Sequence, residues 1–164
     1  MQKNLENDVL DLLQNDARLT ATEIAATLDA DAQEVSACIA RLESTGAIVK
    51  YTAIVNGEKT EKTLVEALIE VKVTPKCVEG FDGIAKQIAA FPEVKGVYLM
   101  SGAYDLAVFL EGTSLQKVAQ FVSERISTYD GVISTATHFI LKKYKIEGVL
   151  TENETSDRRI SVQA

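Results

Sequence analysis

The stretch EVKGVYLMSGAYDLAVFLEG, residues 93–112, contains two apolar runs joined by a polar connection. The runs are Val97–Met100 and Leu106–Leu110. Between them, Ser101–Asp105 includes a glycine that can adopt a positive φ and an aspartate that can bind backbone amides. We predict an antiparallel hairpin with a connection of five residues. Its amides, hydroxyl, phenol and carboxylate suit a small ligand, although a plain turn is the simpler interpretation.

Four further elements flank this hairpin within residues 58–164. Leu64–Val73 alternates as a strand, and Gly131–Leu141 is a last strand. Apolar residues recur at helical spacing in Phe81–Ala89 and Leu115–Ile126. The order β-α-β-β-α-β predicts a ferredoxin-like antiparallel sheet with both helices on one face, an α+β fold.

The face of this sheet that the helices leave open is too apolar to meet water. The central strands carry large apolar side chains at consecutive positions: Tyr98, Leu99, Met100, Val108, Phe109 and Leu110. A second copy of the sheet is the simplest cover. We therefore predict a homodimer through this domain.

Residues 1–57 have the order helix, short helix, tight turn, helix and strand. Leu5–Gln14 is the first helix. A capping box, Thr20–Glu23, starts the second helix, and Asp31 caps the third. Ile48–Ile54 then alternates as a strand. This order is typical of a winged helix-turn-helix, whose third helix enters the major groove of double-stranded DNA.

The third helix must bury Val35, Ile39 and Leu42, which leaves its other positions exposed. Near its start, Gln33 and Ser36 are candidates for contact with base edges, and the exposed Ala37 is a further candidate for DNA contact. Five residues of the domain are candidates for phosphate contact through a cationic or hydroxyl group: Arg18, Thr20, Thr22, Arg41 and Lys50.

The charge of the chain does not favour nucleic-acid binding. The formal net charge is −7, and residues 1–57 hold 4 basic against 9 acidic side chains. An acidic module of this kind binds DNA weakly by itself. We therefore also consider a helical cap domain that packs against a partner without binding DNA. Several modules on one oligomer can restore DNA affinity through avidity.

The remaining composition indicates a cytoplasmic protein without cofactor or metal. Acidic residues interrupt the apolar N-terminus, so no secretory signal is visible, and no uncharged run is long enough to span a membrane. Cys38 and Cys77 match no metal or redox spacing. His138 is the single histidine, and no catalytic constellation accompanies it, so we predict no enzymatic activity.

Several motifs in this order resemble the leucine-responsive and asparagine regulators of bacteria and archaea, the Lrp/AsnC family. The N-terminal half of the resemblance lies in Leu10–Gln14, Asp16–Thr20, Glu23–Ala25 and Arg41–Ile48. The C-terminal half lies in Pro92–Val94, Ser101–Asp105 and Gly131–Thr137. The match spans roughly residues 3–145 in the correct order and is more specific than any single motif.

The resemblance implies transcription factors that form dimers, assemble into octamers, and bind small effectors, usually amino acids, between dimers. Carried over to this chain, the effector residues are Ser101, Gly102, Tyr104, Asp105, Thr135 and Thr137. Asp105 can pair with an α-ammonium group, while amides and threonine hydroxyls hold a carboxylate. Both threonines are also ordinary strand residues.

The chain departs from the family pattern at two positions in the DNA-binding domain. Cys38 replaces the usual basic residue, so we expect one phosphate contact to be missing. The turn Leu28–Asp31 lacks the frequent glycine. An alternative is therefore an oligomeric amino-acid sensor with weak or lost DNA binding. Some haem-synthesis decarboxylases also resemble this two-domain order, but this chain lacks the basic and histidine groups that a tetrapyrrole site needs.

These inferences divide the chain into four parts. Residues 1–57 are the winged helix-turn-helix domain and 58–62 a polar linker. Residues 63–145 are the ligand-binding and oligomerisation domain, and 146–164 a polar C-terminal tail.

Overall fold

The structure is a computed structural model, and it describes residues 2–61, 64–74 and 80–151. The chain divides into two compact units, residues 1–54 and 55–164. Part of the predicted linker, Cys77 and most of the predicted tail, residues 152–164, lie outside the described residues.

Three helices form the N-terminal unit: α1 (Gln2–Asn15), α2 (Ala21–Leu28) and α3 (Ala32–Ser44). The predicted capping box is confirmed. The Thr20 hydroxyl accepts from the Glu23 amide at 3.3 Å, and the Glu23 carboxylate accepts from the Thr20 amide at 2.8 Å. Asp31 caps α3 as predicted, accepting from two amides of its first turn at 2.8 and 3.0 Å. Asp29, with φ 51°, makes the turn between α2 and α3 without a glycine.

The core of this unit includes a cysteine that we expected at the DNA surface. Val9, Ile24 and Val35 are fully buried, and Cys38 is only 3% exposed among them. The inference that Cys38 removes a phosphate contact is therefore wrong, because its side chain faces the helical core. A small apolar thiol is well suited to such a position.

The predicted strand Ile48–Ile54 is not formed. The described residues between α3 and the linker contain no strand. The Ile48 amide instead donates to the Leu42 carbonyl at 3.0 Å, and Val49 is 91% exposed. Alternation alone does not make a strand. A strand also needs a hydrogen-bonding partner, and no described neighbour supplies one.

The described part of the C-terminal unit follows the predicted order: β1 (Val65–Val73), α4 (Asp82–Ala89), β2 (Val94–Leu99), β3 (Leu106–Gly112), α5 (Leu115–Phe121) and β4 (Val132–Phe139). Helix α5 continues as a π-helical turn, Val122–Ile126. The sheet order is β2-β3-β1-β4, and every pairing is antiparallel. The α+β class and the ferredoxin-like arrangement are confirmed.

The helices cover one face of the sheet. Ile69 of β1 and Val108 of β3 are fully buried there, together with Ile88 of α4 and Ile126 of the π-helical turn. Three residues that we expected on the buried helix faces are exposed instead: Ala89, Leu115 and Ala119. In α5 and the π-helical turn that follows it, the buried residues are Val118, Val122 and Ile126.

The opposite face of the sheet, here called the open face, carries an apolar centre. The register pairs Tyr98 with Ala107 and Leu68 with Phe109 on this face. The Tyr98 and Phe109 rings meet edge to face with centroids 5.7 Å apart, and Tyr98 is 57% exposed. Around this centre, His138 lies 3.4 Å from the Glu70 carboxylate. The apolar character predicted for both faces is thus present.

Folded structure continues past residue 145, where we placed the start of the tail. Two short strands, β5 (Lys145–Ile146) and β6 (Val149–Leu150), pair through a turn in which Glu147 has φ 45° and Gly148 has φ 83°. The Asn56 side-chain amide donates to the Thr151 carbonyl at 2.7 Å. A two-residue turn with both φ values positive allows such a tight hairpin.

Candidate DNA-binding and effector sites

Helix α3 presents an uncharged face to solvent. The three DNA-contact candidates near its start, Gln33, Ser36 and Ala37, are all exposed, as are Ala40 and Ser44. At about 100° per residue, these positions lie together opposite the buried stripe of the helix. We call these five residues the reading face. Its short side chains allow close approach of a helix to base edges.

The acidic residues of α3 lie outside the reading face. Asp31 is occupied as the N-cap of the helix. The Glu43 carboxylate accepts a hydrogen bond from the Tyr51 hydroxyl at 3.0 Å. The pKa of Tyr51 is raised, first by lost hydration and then by this carboxylate. Glu34 is the exception, because it is exposed about 60° around the helix from Ala37, at the margin of the reading face.

The predicted phosphate-contacting residues differ in how they are held. The Arg18 guanidinium donates to both oxygens of the Asp16 carboxylate, from Nε at 3.0 Å and from Nη2 at 2.8 Å. This pairing lowers the pKa of Asp16 to about 2 and raises the pKa of Arg18. Arg41 binds the Glu6 carboxylate of α1 at 2.6 Å. Two of the predicted cations are therefore already paired within the protein.

The other predicted phosphate contacts are the hydroxyls of Thr20 and Thr22 and the ammonium of Lys50. The Thr20 hydroxyl also donates to the Glu23 carboxylate at 2.8 Å, and the Thr20 amide and hydroxyl together lower the pKa of Glu23. Thr22 and Lys50 are exposed. The capping box thus engages Thr20, while Thr22 and Lys50 face solvent.

The hairpin connection between β2 and β3 is held at the end of β1. It spans residues 100–105, one more than predicted, and the Met100 amide donates to the Asp105 carbonyl at 2.8 Å. The Asp105 amide donates to the Val71 carbonyl at 3.1 Å. The Asp105 carboxylate accepts from the Val73 amide at 2.8 Å. Asp105 therefore positions the loop against β1.

The rest of this loop is open to solvent. Ser101 and Gly102 are exposed, and Tyr104 is half-buried. Gly102 does not have the positive φ that the sequence allowed, and a Cβ placed on it would meet no atom within 4 Å. The turn therefore does not require glycine for its own backbone, in contrast to our interpretation.

The two predicted threonines lie on β4, across β1 from the loop. Thr135 pairs with Val71 and Thr137 with Ile69, so both lie on the helix-covered side of the sheet. Two strand spacings, about 10 Å, separate the loop from β4. The loop residues and Thr135 therefore lie near the same end of β1, with that strand between them, whereas Thr137 lies two residues further along β4.

A residue that the sequence reasoning missed completes the environment of Thr135. The Ser127 and Thr135 hydroxyls share a hydrogen bond of 3.1 Å. Ser127 directly follows the π-helical turn Val122–Ile126. Such turns are frequent at functional sites. No spacing in the sequence signals this contact, because the π-helical turn departs from the 3.6-residue period on which the helix was predicted.

A groove of about 620 Å³ lies at the opposite end of the sheet. It is bounded by the start of β2, the end of β3 and the exposed side of α5. Phe121 and Val118 contribute apolar surface to it, and Lys117 and Arg125 contribute cations. None of the six predicted effector residues lines this groove.

The described residues contain neither a metal-binding cluster nor a membrane-spanning helix. No group of three or more His, Cys, Asp or Glu side chains is arranged there to hold a metal ion. Within the same residues, no helix is both long and apolar enough to cross a membrane.

Comparison with known families accounts for both units. The model of the Lrp/AsnC ligand binding domain matches residues 66–150, and that of a winged helix-turn-helix DNA-binding domain matches residues 4–49. The chain belongs to the Lrp/AsnC family. It is a transcription regulator of the Lrp/AsnC type, with a DNA-binding unit and a ligand-binding unit.

Full-length relatives share this organisation. The uncharacterized HTH-type transcriptional regulator YugG of Bacillus subtilis (strain 168) is 44% identical over 158 residues, covering 96% of this chain and 95% of that protein. The uncharacterized HTH-type transcriptional regulator PH0140 of Pyrococcus horikoshii is 30% identical, covering 83% of this chain and 84% of the relative. These relatives are described as transcriptional regulators.

Solved structures show the same fold. Escherichia coli AsnC superposes with a TM-score of 0.66 at 18% identity, covering 87% of this chain and 94% of AsnC. The regulator NMB0573 of Neisseria meningitidis, solved as a complex with L-Met, superposes with a TM-score of 0.69 at 22% identity, covering 87% of this chain and 91% of that one. At these identities the likeness establishes the fold of this regulator.

The Asp16–Arg18 pair predicts a loss of stability in acid. Because folding lowers the pKa of Asp16 from 3.8 to about 2, its contribution is present above pH 3.8 and is lost as the pH falls towards 2. We expect the melting temperature of the wild type to fall more steeply over this range than that of Asp16→Asn. Arg18→Gln removes the guanidinium but keeps the backbone amide of residue 18, which donates to the Asp16 carboxylate at 3.0 Å, so it should flatten the profile in part. Identical profiles for all three proteins, measured by circular dichroism, would contradict the pairing.

Proposed function

We propose that this regulator reads duplex DNA with the reading face of α3 and that an amino acid or a related metabolite controls its assembly. The observation that carries the DNA-binding part is the uncharged, exposed face formed by Gln33, Ser36, Ala37, Ala40 and Ser44. In this proposal Gln33 and Ser36 donate to or accept from base edges, and Ala37 permits close approach. DNA as the target implies action in the cytoplasm.

Phosphate contacts in this proposal come from the margins of the reading face. Lys50 and Thr22 are exposed, and Arg18 and Arg41 contribute to the extent that phosphate displaces the carboxylates that bind them. Counterion release scales with the number of phosphates neutralised, so a single module binds weakly. An oligomer that presents several modules to one DNA restores the affinity.

The effector site in this proposal comprises the loop residues Ser101, Gly102, Tyr104 and Asp105 with Thr135 and Thr137. The solved complex of NMB0573 with L-Met supports an amino acid as the class of ligand. Asp105 pairs with the ammonium group, and loop amides with the threonine hydroxyls bind the carboxylate. In the single chain the loop is open to solvent, which is consistent with a site completed between subunits.

The homodimer in this proposal forms through the open face, centred on Leu68, Tyr98, Ala107 and Phe109. Burying this apolar surface stabilises the dimer by about 25 cal/mol for each Å² that is removed from water. Further association of dimers, to an octamer, places effector loops from different dimers against one another. An effector that binds one arrangement more tightly than another by a few kcal/mol shifts the assembly and the spacing of the recognition helices.

A second candidate is an oligomeric amino-acid sensor with weak DNA binding. Two observations favour it: the net charge of −7, and the pairing of Arg18 and Arg41 with carboxylates of the same unit. In that case the effector domain would act through a partner regulator.

Fluorescence anisotropy with DNA from upstream of the gene separates these candidates. The purified protein is titrated at two salt concentrations, with and without a mixture of amino acids. We expect specific binding that weakens with salt and that the mixture shifts. An intact oligomer that binds no DNA at low salt would instead establish the second candidate.

Two variants separate the proposed effector-binding role of Asp105 from its structural contact with the Val73 amide. Asp105→Asn keeps an oxygen that can accept from the Val73 amide but removes the charge that pairs with an ammonium group. We expect this variant to bind DNA normally and to lose its response to the effector. Asp105→Ala, the control, should in addition lose about 1–3 kcal/mol of stability, because it leaves the Val73 amide unpaired. An Asp105→Asn protein that still responds would refute the ammonium pairing.

The dimer interface can be tested at the centre of the open face. Phe109→Asp places a charge in the apolar centre and should convert the assembly to monomers, measured by analytical ultracentrifugation. Leu115→Asp makes the same kind of change on an exposed helix position and should leave the assembly intact. Wild-type protein that sediments as a monomer would overturn the interface, and circular dichroism checks that each variant is folded.

A further inference from the structure

The cation of the recognition helix is held by the helix packed behind it. Arg41 is the only basic residue of α3. Its Nη2 lies 2.6 Å from a carboxylate oxygen of Glu6 on α1. The same nitrogen lies 4.0 Å from the buried Cys38 sulfur. The guanidinium is therefore drawn from the helix surface towards α1.

Arg41 lies where a recognition helix meets phosphate. It is about 40° around the helix from Ala37, at the margin of the reading face. When a helix enters the major groove, its margins face the walls of that groove, which are lined by phosphates. The Arg41 side chain is 46% exposed, so it remains accessible from that side.

We propose that Glu6 competes with DNA phosphate for Arg41 and thereby lowers the DNA affinity of the regulator. This inference rests on the proposed DNA binding through α3. A carboxylate and a phosphate attract the same guanidinium, and the charge that Glu6 neutralises is no longer free to release a counterion from DNA. Glu6 is thus an affinity-determining residue that does not itself contact DNA.

The competition acts on the part of the affinity that is independent of sequence. Phosphate contacts carry no sequence information, whereas base contacts on the reading face do. A regulator whose single recognition-helix cation is neutralised binds random DNA weakly. It then depends on base contacts and on oligomerisation to select its site.

The test compares Glu6→Gln with the wild type in anisotropy titrations on the upstream DNA and on a random duplex. We expect Glu6→Gln to bind both duplexes more tightly by about two- to fivefold, the range for releasing an exposed ion pair. The slope of log affinity against log salt should steepen by about one, as for one additional phosphate contact.

Two further proteins separate competition from simple repulsion of DNA by a carboxylate. Asp8→Asn removes an equal charge from α1 about 160° around that helix from Glu6, and it should leave the affinity unchanged. In an Arg41→Gln background, Glu6→Gln should give no gain, because the cation that it would release is absent. A gain of the same size in that background would show repulsion alone and overturn the proposal.

The remaining outcomes distinguish this inference from the proposed function. If the wild type binds its DNA and Glu6→Gln binds no more tightly, regulation through α3 stands and the role of Glu6 is refuted. If neither protein binds DNA at low salt, both proposals fail. Thermal denaturation of each variant verifies that changes in binding do not arise from unfolding.

Discussion

Strand β1 pairs on both of its edges, and the candidate effector site depends on those two registers. On one side, Val71 pairs with Leu106 at the start of β3, which places the hairpin loop at the end of β1. On the other side, Val71 pairs with Thr135 of β4. A slip of one residue in either ladder would move that strand's side chains to the opposite face. The Asp105 carboxylate, bound to the Val73 amide, ties the loop to this frame.

The same registers separate the two faces of the sheet. The fully buried Ile69 and Val108 face the helices, whereas the neighbouring Leu68 and Phe109 form the centre of the open face. The candidate effector loop and the surface proposed for dimerisation therefore belong to one sheet. A ligand that changes how loops from different subunits meet can act on the assembly without refolding the domain.

In the DNA-binding unit, the distribution of charge matters more than its sum. A net charge of −7 indicates a poor nucleic-acid binder. The structure shows that acidic groups have local tasks: Asp31 caps α3, and Glu43 accepts from Tyr51. On α3 the reading face is neutral, and the exposed Glu34 lies at its margin. However, Arg41, which a count of basic residues treats as available to DNA, is paired with Glu6.

The features predicted correctly are those encoded by spacing within a few residues. The capping box at Thr20 joins residues three positions apart, and apolar periodicity located the helices of both units and the four strands of the C-terminal sheet. The features missed involve partners distant in sequence or departures from regular period. A strand at Ile48–Ile54 would need such a partner, and the Ser127–Thr135 contact follows a π-helical turn.

The sequence by itself determined the order of the three N-terminal helices and of the β-α-β-β-α-β unit, the helix caps, the family and the identity of the candidate site residues, because these depend on local propensity and recurring motifs. Only the tertiary structure decided which groups are free to act. It placed Cys38 in the core, joined Glu6 to Arg41, and bound Asp105 to the end of β1. Such contacts form when packing brings together segments that are distant in sequence, and residue spacing along the chain does not predict them.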